Sequence, residues 1–483
     1  MTGTVAWRWW TPPPGSIPTL EIPTLEDVRA VHLIGVGGAG MRNLARLLVA
    51  RGISVSGSDL KASVYLRELE TAGVRVHVGH HLSQLGDPDA VVISSAIRDG
   101  NVELQEARRR GIPLWKRQQA LAALARGRRV IAVAGTHGKT TTTSMVAVAL
   151  ERAGLDPTYL IGGDLNESGS GARHGAGDLF VFEADESDGS FLLAPAWLGI
   201  VTNVDLDHLD FFPGGRDEIE SAFAEFVARC EHVVAFGDDP GVLRAVELAG
   251  VETFTYGFGD DNDAVVRAER LGPEGARGML RLGAGPDVEV SLKIDGRHNL
   301  LDAAAATIAA VRAGVDAREA AEALAGFEGV HRRFEFRGSA RGAEFYDDYG
   351  HNPAEMAVTL ETARRREPSR LIALVQPHRF TRVRAQWREL GESVAGADLV
   401  IVTDVYGAAQ DPIPGVTGKL VVDGVQLAAP GRRTVYLPHR RDVVTFLDRE
   451  VRPGDLIVTM GCGDVWMLGD AALASIRERD GAA

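Results

Sequence analysis

Short apolar runs recur along the chain, and each breaks off into glycines, hydroxyls or acids. They fall at 31–34, 53–57 and 90–94, then at 130–133, 179–182, 198–202 and 232–236, and finally at 371–375, 399–403 and 455–460. Stretches with helical patterning separate them, and this alternation predicts parallel α/β layers. Segment 257–290 is rich in Gly, Asp and alternating apolar residues, and predicts a small antiparallel excursion. In open α/β sheets ligands sit at the C-terminal ends of strands. Nearly every conspicuous polar cluster of this chain falls there.

At 483 residues the length suggests about three domains. The boundaries expected are a poorly ordered leader at 1–30, holding Trp7, Trp9, Trp10 and Pro12-Pro13-Pro14, then domains at 31–126, 127–327 and 328–483. A basic hinge at 126–129 separates the first two domains. The net charge of −14 argues against nucleic acid or an anionic membrane as a general partner. Two cysteines, Cys230 and Cys462, give no disulfide framework and fit a reducing cytoplasm. No apolar run approaches the ~20 residues of a membrane helix, and the N-terminus has no signal-peptide core.

The strongest chemical signal is Gly135-Thr136-His137-Gly138-Lys139-Thr140-Thr141, directly after the run at 130–133. A strand, a glycine turn with Lys and Thr, and a helix make a phosphate cradle of the P-loop kind. Backbone N–H groups approach the phosphate oxygens, Lys139 reaches the β/γ-phosphates and Thr140 offers a hydroxyl to Mg²⁺ or Mn²⁺. The expected ligand is ATP. The motif is a shortened one, with Val133 where the longer pattern has Gly.

A second glycine turn, Gly35-Val36-Gly37-Gly38-Ala39-Gly40, follows the first strand, with Asp59 about 20 residues on. Such a turn suits the diphosphate of a dinucleotide or of a UDP-sugar. Ser58 with Asp59, and Ser94 with Ser95, end the next two runs around the same cleft. Glu183 is the first acid after the run at 179–182 and the candidate Mg²⁺ ligand, followed by Asp185, Glu186 and Asp188. His208, amid Asp205, Asp207 and Asp210, can ligate a metal through neutral imidazole. His298 and Asn299 stand ready to stack on and bond a purine, or Asn299 is a helix N-cap. Arg332 and Arg333 lie at the second domain joint, where arginines can reach over a phosphate. His351 sits in Asp347-Asp348-Tyr349-Gly350-His351-Asn352-Pro353, and the pair Arg379/Arg382 in Gln376-Pro377-His378-Arg379-Phe380-Thr381-Arg382 is suited to grip a carboxylate. A nicotinamide dehydrogenase would use residues 35–40 and leave 135–143 idle. A nucleotide-gated binding protein would fill both loops without turnover.

Taken in order and spacing, these segments resemble the Mur ligase family from about Val31 to the C-terminal end. The resemblance implies an α/β fold of three domains: Rossmann-like for a UDP-sugar, P-loop ATPase-like with a parallel sheet, and Rossmann-like again. It implies ATP-dependent amide-bond formation in peptidoglycan precursor synthesis in the cytoplasm, by a monomer or homodimer. UDP-N-acetylmuramate would be carried by Gly37, Gly38, Ala39, Gly40 and Ser58. ATP would lie at Gly135–Thr141 with His298, Asn299 and Arg333 beside it, and cations at Thr140, Glu183 and His208. His351, Arg379 and Arg382 would receive L-alanine, with Lys139, Glu183, His208, His351 and Arg379 carrying the chemistry. Two positions depart from the family pattern, Asn352 where a second His is usual and Asp302 where Asn is usual. No lysine lies between Lys139 and Lys293, which excludes the carbamylated-lysine chemistry of related ligases. A ligase that recycles a tripeptide onto UDP-N-acetylmuramate is the near competitor, and Gly350 favours the alanine adder.

Overall fold

The computed structural model describes residues 22–94, 97–187, 190–192, 195–208, 211–408 and 410–481. Most of the expected leader, Ser95, Asp188 and Asp210 lie outside the described residues, as does the side chain of Ala39. The chain divides into two compact units, the first ending at Glu328 and the second beginning at Gly329.

The first unit contains two sheets. In one, β1 (Ala30–Ile34), β2 (Ser54–Asp59), β3 (Arg75–Val78), β4 (Ala90–Ile93) and β5 (Leu114–Lys116) run parallel in the order 3-2-1-4-5. β1 is covered on both faces, with Leu33 and Ile34 fully buried and His32 between its apolar residues buried as well. The order reverses at β1, so the glycine turn behind it opens at the crevice between diverging crossovers.

The other sheet holds β6 (Arg129–Ala134), β7 (Thr158–Leu160), β8 (Ala172–Arg173), β9 (Leu179–Glu183), β10 (Leu198–Val201), β11 (His232–Phe236) and β12 (Phe254–Gly257). β13 (Ala264–Gly272), β14 (Gly275–Leu282) and β15 (Asp287–Leu292) complete it. β6 lies between β9 and β10, both parallel to it, again a switch point. The expected antiparallel excursion is the β13–β14–β15 meander. The helix Lys139–Arg152 packs on the helix Arg297–Arg312, whose residues from Ala303 to Ala306 are fully buried.

The second unit is a single sheet of β16 (Glu335–Ala340), β17 (Ala343–Asp348), β18 (Arg370–Val375), β19 (Leu399–Val402), β20 (Arg433–Tyr436) and β21 (Asp455–Met460), in the order 16-17-21-18-19-20. Only β16 is antiparallel to its neighbour. The last strand in sequence, β21, thus stands between β17 and β18. No helix among the described residues is long and apolar enough to cross a membrane.

Candidate functional site

The phosphate loop is built by the residues beyond β10. Gly135 has φ +138°, and a Cβ there would fall 2.0 Å from Thr202 Oγ1. The Thr202 hydroxyl donates to His137 O (2.6 Å), while Asn203 accepts from His137 N (2.8 Å) and donates to His137 O (2.9 Å). Gly138, at φ +78°, caps the helix Lys139–Arg152 without a side-chain acceptor. The first N–H groups of that helix are therefore presented to an anion. The helix Ala39–Ala50 starts in the same way, from Gly38 without a side-chain cap.

Lys139 is the hub of the loop. Its Nζ donates to Gly135 O (2.5 Å), Thr136 O (3.1 Å) and Glu186 Oε1 (3.1 Å). Burial works to lower its pKa, but the Glu186, Asp185 and Glu183 carboxylates outweigh burial and hold the ammonium above its usual value. Burial likewise works to raise Asp185, and the charges of Lys139, Arg117 and His208 carry it below the ordinary range. Thr140 Oγ1 donates to Glu183 Oε2 at 2.9 Å, so the two oxygen donors expected for a hard cation already meet. Glu183 Oε2 also accepts from Gly162 N (2.9 Å). His208 Nε2 lies 3.9 Å from Glu186 Oε1, and its backbone is left-handed at φ +52°. That conformation is uncommon for a residue other than glycine, and such outliers concentrate at functional sites.

Glu186 was only one of several acids in the sequence. The fold makes it the link between Lys139 and His208, buried to 2 % exposure. Asp302, noted in the sequence as a departure from the family pattern, gains a partner in the fold. Its carboxylate accepts from Thr142 Oγ1 (2.7 Å) inside the helix pair, so an acid serves where an amide was expected. Asn299 is not an N-cap: Gly296 caps the helix Arg297–Arg312, and the Asn299 amide donates to Asp295 O (2.6 Å). The neighbouring Arg297 guanidinium lies over the Phe258 ring at 3.8 Å.

At the first glycine turn, Gly37 N donates to Asp59 Oδ2 (2.9 Å) and Gly35 N to Ser58 O (2.8 Å). Ser58 corrects the sequence expectation. Its side chain is fully buried and donates to Glu103 Oε2 (2.5 Å), with His80 Nδ1 3.0 Å away, so the hydroxyl is committed inside the fold. Ser94 ends β4 half-buried, its Cβ 3.1 Å from where a methyl on Gly35 would stand. A methyl on Gly40 would meet the Arg117 guanidinium at 2.7 Å. Arg117 thus faces both this turn and Asp185, a position the local sequence did not reveal.

The two cradles of the first unit are joined. Arg42, one turn into the helix Ala39–Ala50, pairs with the buried Asp164, and Asn43 Nδ2 donates to Ile161 O (3.0 Å). Segment 161–164 therefore bonds the first helix on one side and Glu183 on the other.

The second unit carries its own cluster at the ends of β17, β21 and β18. Arg332 donates to Asp347 (2.8 Å), Gly461 O (2.6 Å) and Gly463 O (3.1 Å), so this arginine secures the loops of its own unit. Arg333 lies over the Tyr349 ring at 5.1 Å. His351 Nδ1 is 3.2 Å from Tyr349 O and 3.4 Å from Glu355 Oε2. Asn352 accepts from Glu355 N (3.0 Å) and caps the helix Pro353–Arg364, which accounts for the amide found there. Arg379 has φ +64° and donates its backbone N–H to Tyr406 O (2.9 Å), while the Arg382 side chain is buried. His378, unassigned from sequence, stacks on Tyr406 with ring centroids 5.9 Å apart and stands 5.4 Å from the His351 ring. Burial pushes the Cys462 thiol up to about 12.

Comparison with known proteins matches residues 30–129 to the Mur ligase family catalytic domain, 133–310 to the Mur ligase middle domain and 332–463 to the Mur ligase, glutamate ligase domain. The UDP-N-acetylmuramate–L-alanine ligase of Thermobifida fusca is 45% identical over 92% of this chain and 96% of its own. That of Rubrobacter xylanophilus is 45% identical over 92% of this chain and 100% of its own. Among solved structures, a UDP-N-acetylmuramate-alanine ligase of Thermotoga maritima superposes with a TM-score of 0.79 at 27% identity, covering 94% of this chain and all of that one. A murein peptide ligase of Psychrobacter arcticus gives 0.72 at 26% identity, over 93% and 98% of the two chains.

Proposed function

The chain belongs to the Mur ligase family, and from that premise we propose that it joins L-alanine to the lactyl carboxylate of UDP-N-acetylmuramate at the expense of ATP. The activity places it in peptidoglycan precursor synthesis, in the cytoplasm. The observation that carries the reading is the assembly at the ends of β6, β9 and β10. There Lys139 is held charged by Glu186, and Thr140 is bonded to Glu183 beside the open N-terminus of a helix.

In this reading residues 31–126 hold the UDP-sugar, 127–327 hold ATP, and 328–483 supply the amino-acid site. The backbone of residues 135–141 cradles the phosphates, with His298, Asn299 and Arg333 assigned to the rest of the nucleotide. Thr140 and Glu183 would hold Mg²⁺, and His208 a second cation. Their oxygen and imidazole donors fit that role, and a bound cation supplies charge neutralisation at the phosphoryl oxygens. The lactyl carboxylate attacks the γ-phosphorus in line and displaces ADP, while Lys139 stabilises the charge spread over the transferring oxygens. The resulting acyl phosphate is opened by the alanine amine, and phosphate leaves. Arg379 and Arg382 are assigned to the alanine carboxylate, and His351 to the amine. Its Nδ1 faces Tyr349 O, which orients the ring and leaves Nε2 to accept a proton.

Phosphate release is the test, measured with ATP, Mg²⁺ and UDP-N-acetylmuramate while L-alanine, glycine, L-serine or a tripeptide is added singly. Release that requires the UDP-sugar and is fastest with L-alanine, with the ligated product identified by mass, is the expected result. Release with the tripeptide alone would assign the chain to the recycling activity, and no release would refute the ligase reading.

A further inference from the structure

Three adjacent parallel strands of the second unit, β17, β21 and β18, each end in a loop that carries a metal-ligating side chain: His351, Cys462 and His378 respectively. Their ligand atoms all lie within 4.8 Å of one another, and all three residues are half-buried. We propose that this His₂Cys cluster is a binding site for a soft divalent cation, Zn²⁺, distinct from the oxygen-lined position at Thr140 and Glu183.

The placement follows from the topology. Neighbouring strands lie about 4.8 Å apart, so residues just past the ends of three consecutive strands are brought together without any long excursion. Tetrahedral zinc with bonds of about 2.0–2.3 Å separates its ligands by roughly 3.4 Å. The cluster therefore needs a contraction of roughly 1 Å, within reach of rotation about the Cys462 χ1 and the histidine χ2 angles. The donor set is a zinc set: imidazole and thiolate select Zn²⁺ over Mg²⁺, which takes oxygen ligands.

The surroundings favour ligation as well. His351 Nδ1 faces Tyr349 O (3.2 Å) and Glu355 (3.4 Å), the carbonyl and carboxylate pairing that fixes a ligating imidazole with Nε2 outward. His378 is braced face to face by Tyr406. Burial, with Glu355, holds the Cys462 thiol protonated against the opposing charges of Arg382 and Arg332, so the metal itself must displace the proton. Binding replaces the S–H bond with an S–Zn bond and releases the proton to solvent. Zinc on His351 Nε2 takes the lone pair that the ligase reading assigns to the alanine amine, so the metal and the amino acid compete for this atom.

The site is tested on the full chain, stripped of metals, in excess Mg²⁺. Calorimetric titration with Zn²⁺ gives the stoichiometry. Co²⁺ serves as the spectroscopic probe, since a thiolate ligand produces a charge-transfer band that oxygen and nitrogen ligands do not. One zinc per chain is expected. Cys462→Ala and His378→Ala should each weaken binding by roughly 100-fold or more, and Cys462→Ala should abolish the cobalt band. Cys230→Ala should alter neither, since that thiol is buried elsewhere against Phe226 O. Cys462→Ser keeps the shape of the site and should lose the band, so misfolding of the alanine variant cannot imitate the result. Absence of zinc uptake below millimolar concentration, or a cobalt band that survives in both Cys462 variants, overturns the proposal. None of these readouts is turnover, so the site stands or falls independently of the ligase reading.

Discussion

The bond between Thr142 and Asp302 ties the phosphate-loop helix to the helix that follows the meander, 160 residues later in sequence. Thr142 is fully buried and Asp302 is 6% exposed, and the hydroxyl donates at 2.7 Å. A buried hydrogen bond to a charged acceptor contributes about 1.5–3 kcal/mol. Thr142→Val keeps the shape and removes the donor, and Asp302→Ala removes the acceptor. An unfolding entropy of ~2.1 cal/mol/K per residue over roughly 300 residues of the first unit gives ~0.6 kcal/mol/K. A loss of ~2 kcal/mol then lowers the first unit's melting temperature by about 3 °C. The double variant should be less destabilised than the two single effects added together, by a coupling of about 1.5–3 kcal/mol. Asp302→Asn, which keeps an acceptor oxygen, should recover much of the loss. Calorimetric unfolding of the native chain and these four variants, with KM for ATP in parallel, measures it. Single effects that add to within ~0.5 kcal/mol would show that the pair carries no such interaction, and the view of Asp302 as a brace for the phosphate loop would fall.

Four further outcomes follow from the structure. Lys139→Ala should lose nearly all turnover while UDP-sugar affinity, read by calorimetry, is kept; retention of more than roughly a tenth of the activity refutes its role at the transferring phosphoryl group. Gly135→Ala places a methyl against Thr202 at φ +138°, with backbone strain of about 1–3 kcal/mol; a wild-type KM for ATP would contradict the loop geometry. Arg433, with Arg370, holds the Glu450 carboxyl down at about 2 against an ordinary 4.5. Its stabilisation is complete above pH 4.5 and drains as pH falls toward 2. Arg433→Met should move that loss to higher pH in the second unit's thermal midpoint, and an unchanged acid limb would refute the pairing. Zn²⁺ should raise KM for L-alanine in the native chain and not in Cys462→Ala; an unchanged KM with zinc bound would place the amino acid elsewhere.

The central strands were legible because a parallel strand covered on both faces is written largely in apolar residues, as in residues 130–134 of β6, 371–375 of β18 and all of β19. β3, β5 and β20 were not, since Arg75-Val76-His77-Val78, Leu114-Trp115-Lys116 and Arg433-Thr434-Val435-Tyr436 are short, partly exposed and of mixed polarity. The glycine turns were legible because their chemistry is local: spacing of a few residues fixes the turn and the helix start. Glu186, Asp302, Arg117 and Glu103 act through partners 45 to 160 residues away. Nothing in the immediate neighbours of Glu186, Arg117 and Glu103 marks them, and the family pattern marks Asp302 without revealing its partner. Ser58 shows the same limit in reverse, a hydroxyl at a strand end whose direction is set by a buried glutamate 45 residues on.

The four residues 161–164 touch the helix of the first glycine turn through Arg42 and Asn43, and the carboxylate of Glu183 through Gly162. A shift of this segment on filling one cradle is a shift in the other. The free energy by which one nucleotide alters the affinity for the second must then be returned, equal in size, when the order of addition is reversed. That coupling would in that case be carried by the stiffness of a short backbone span, and Arg42→Met, which leaves only the Asn43 bond to Ile161 O and the Arg46 charge near Asp164, would weaken it.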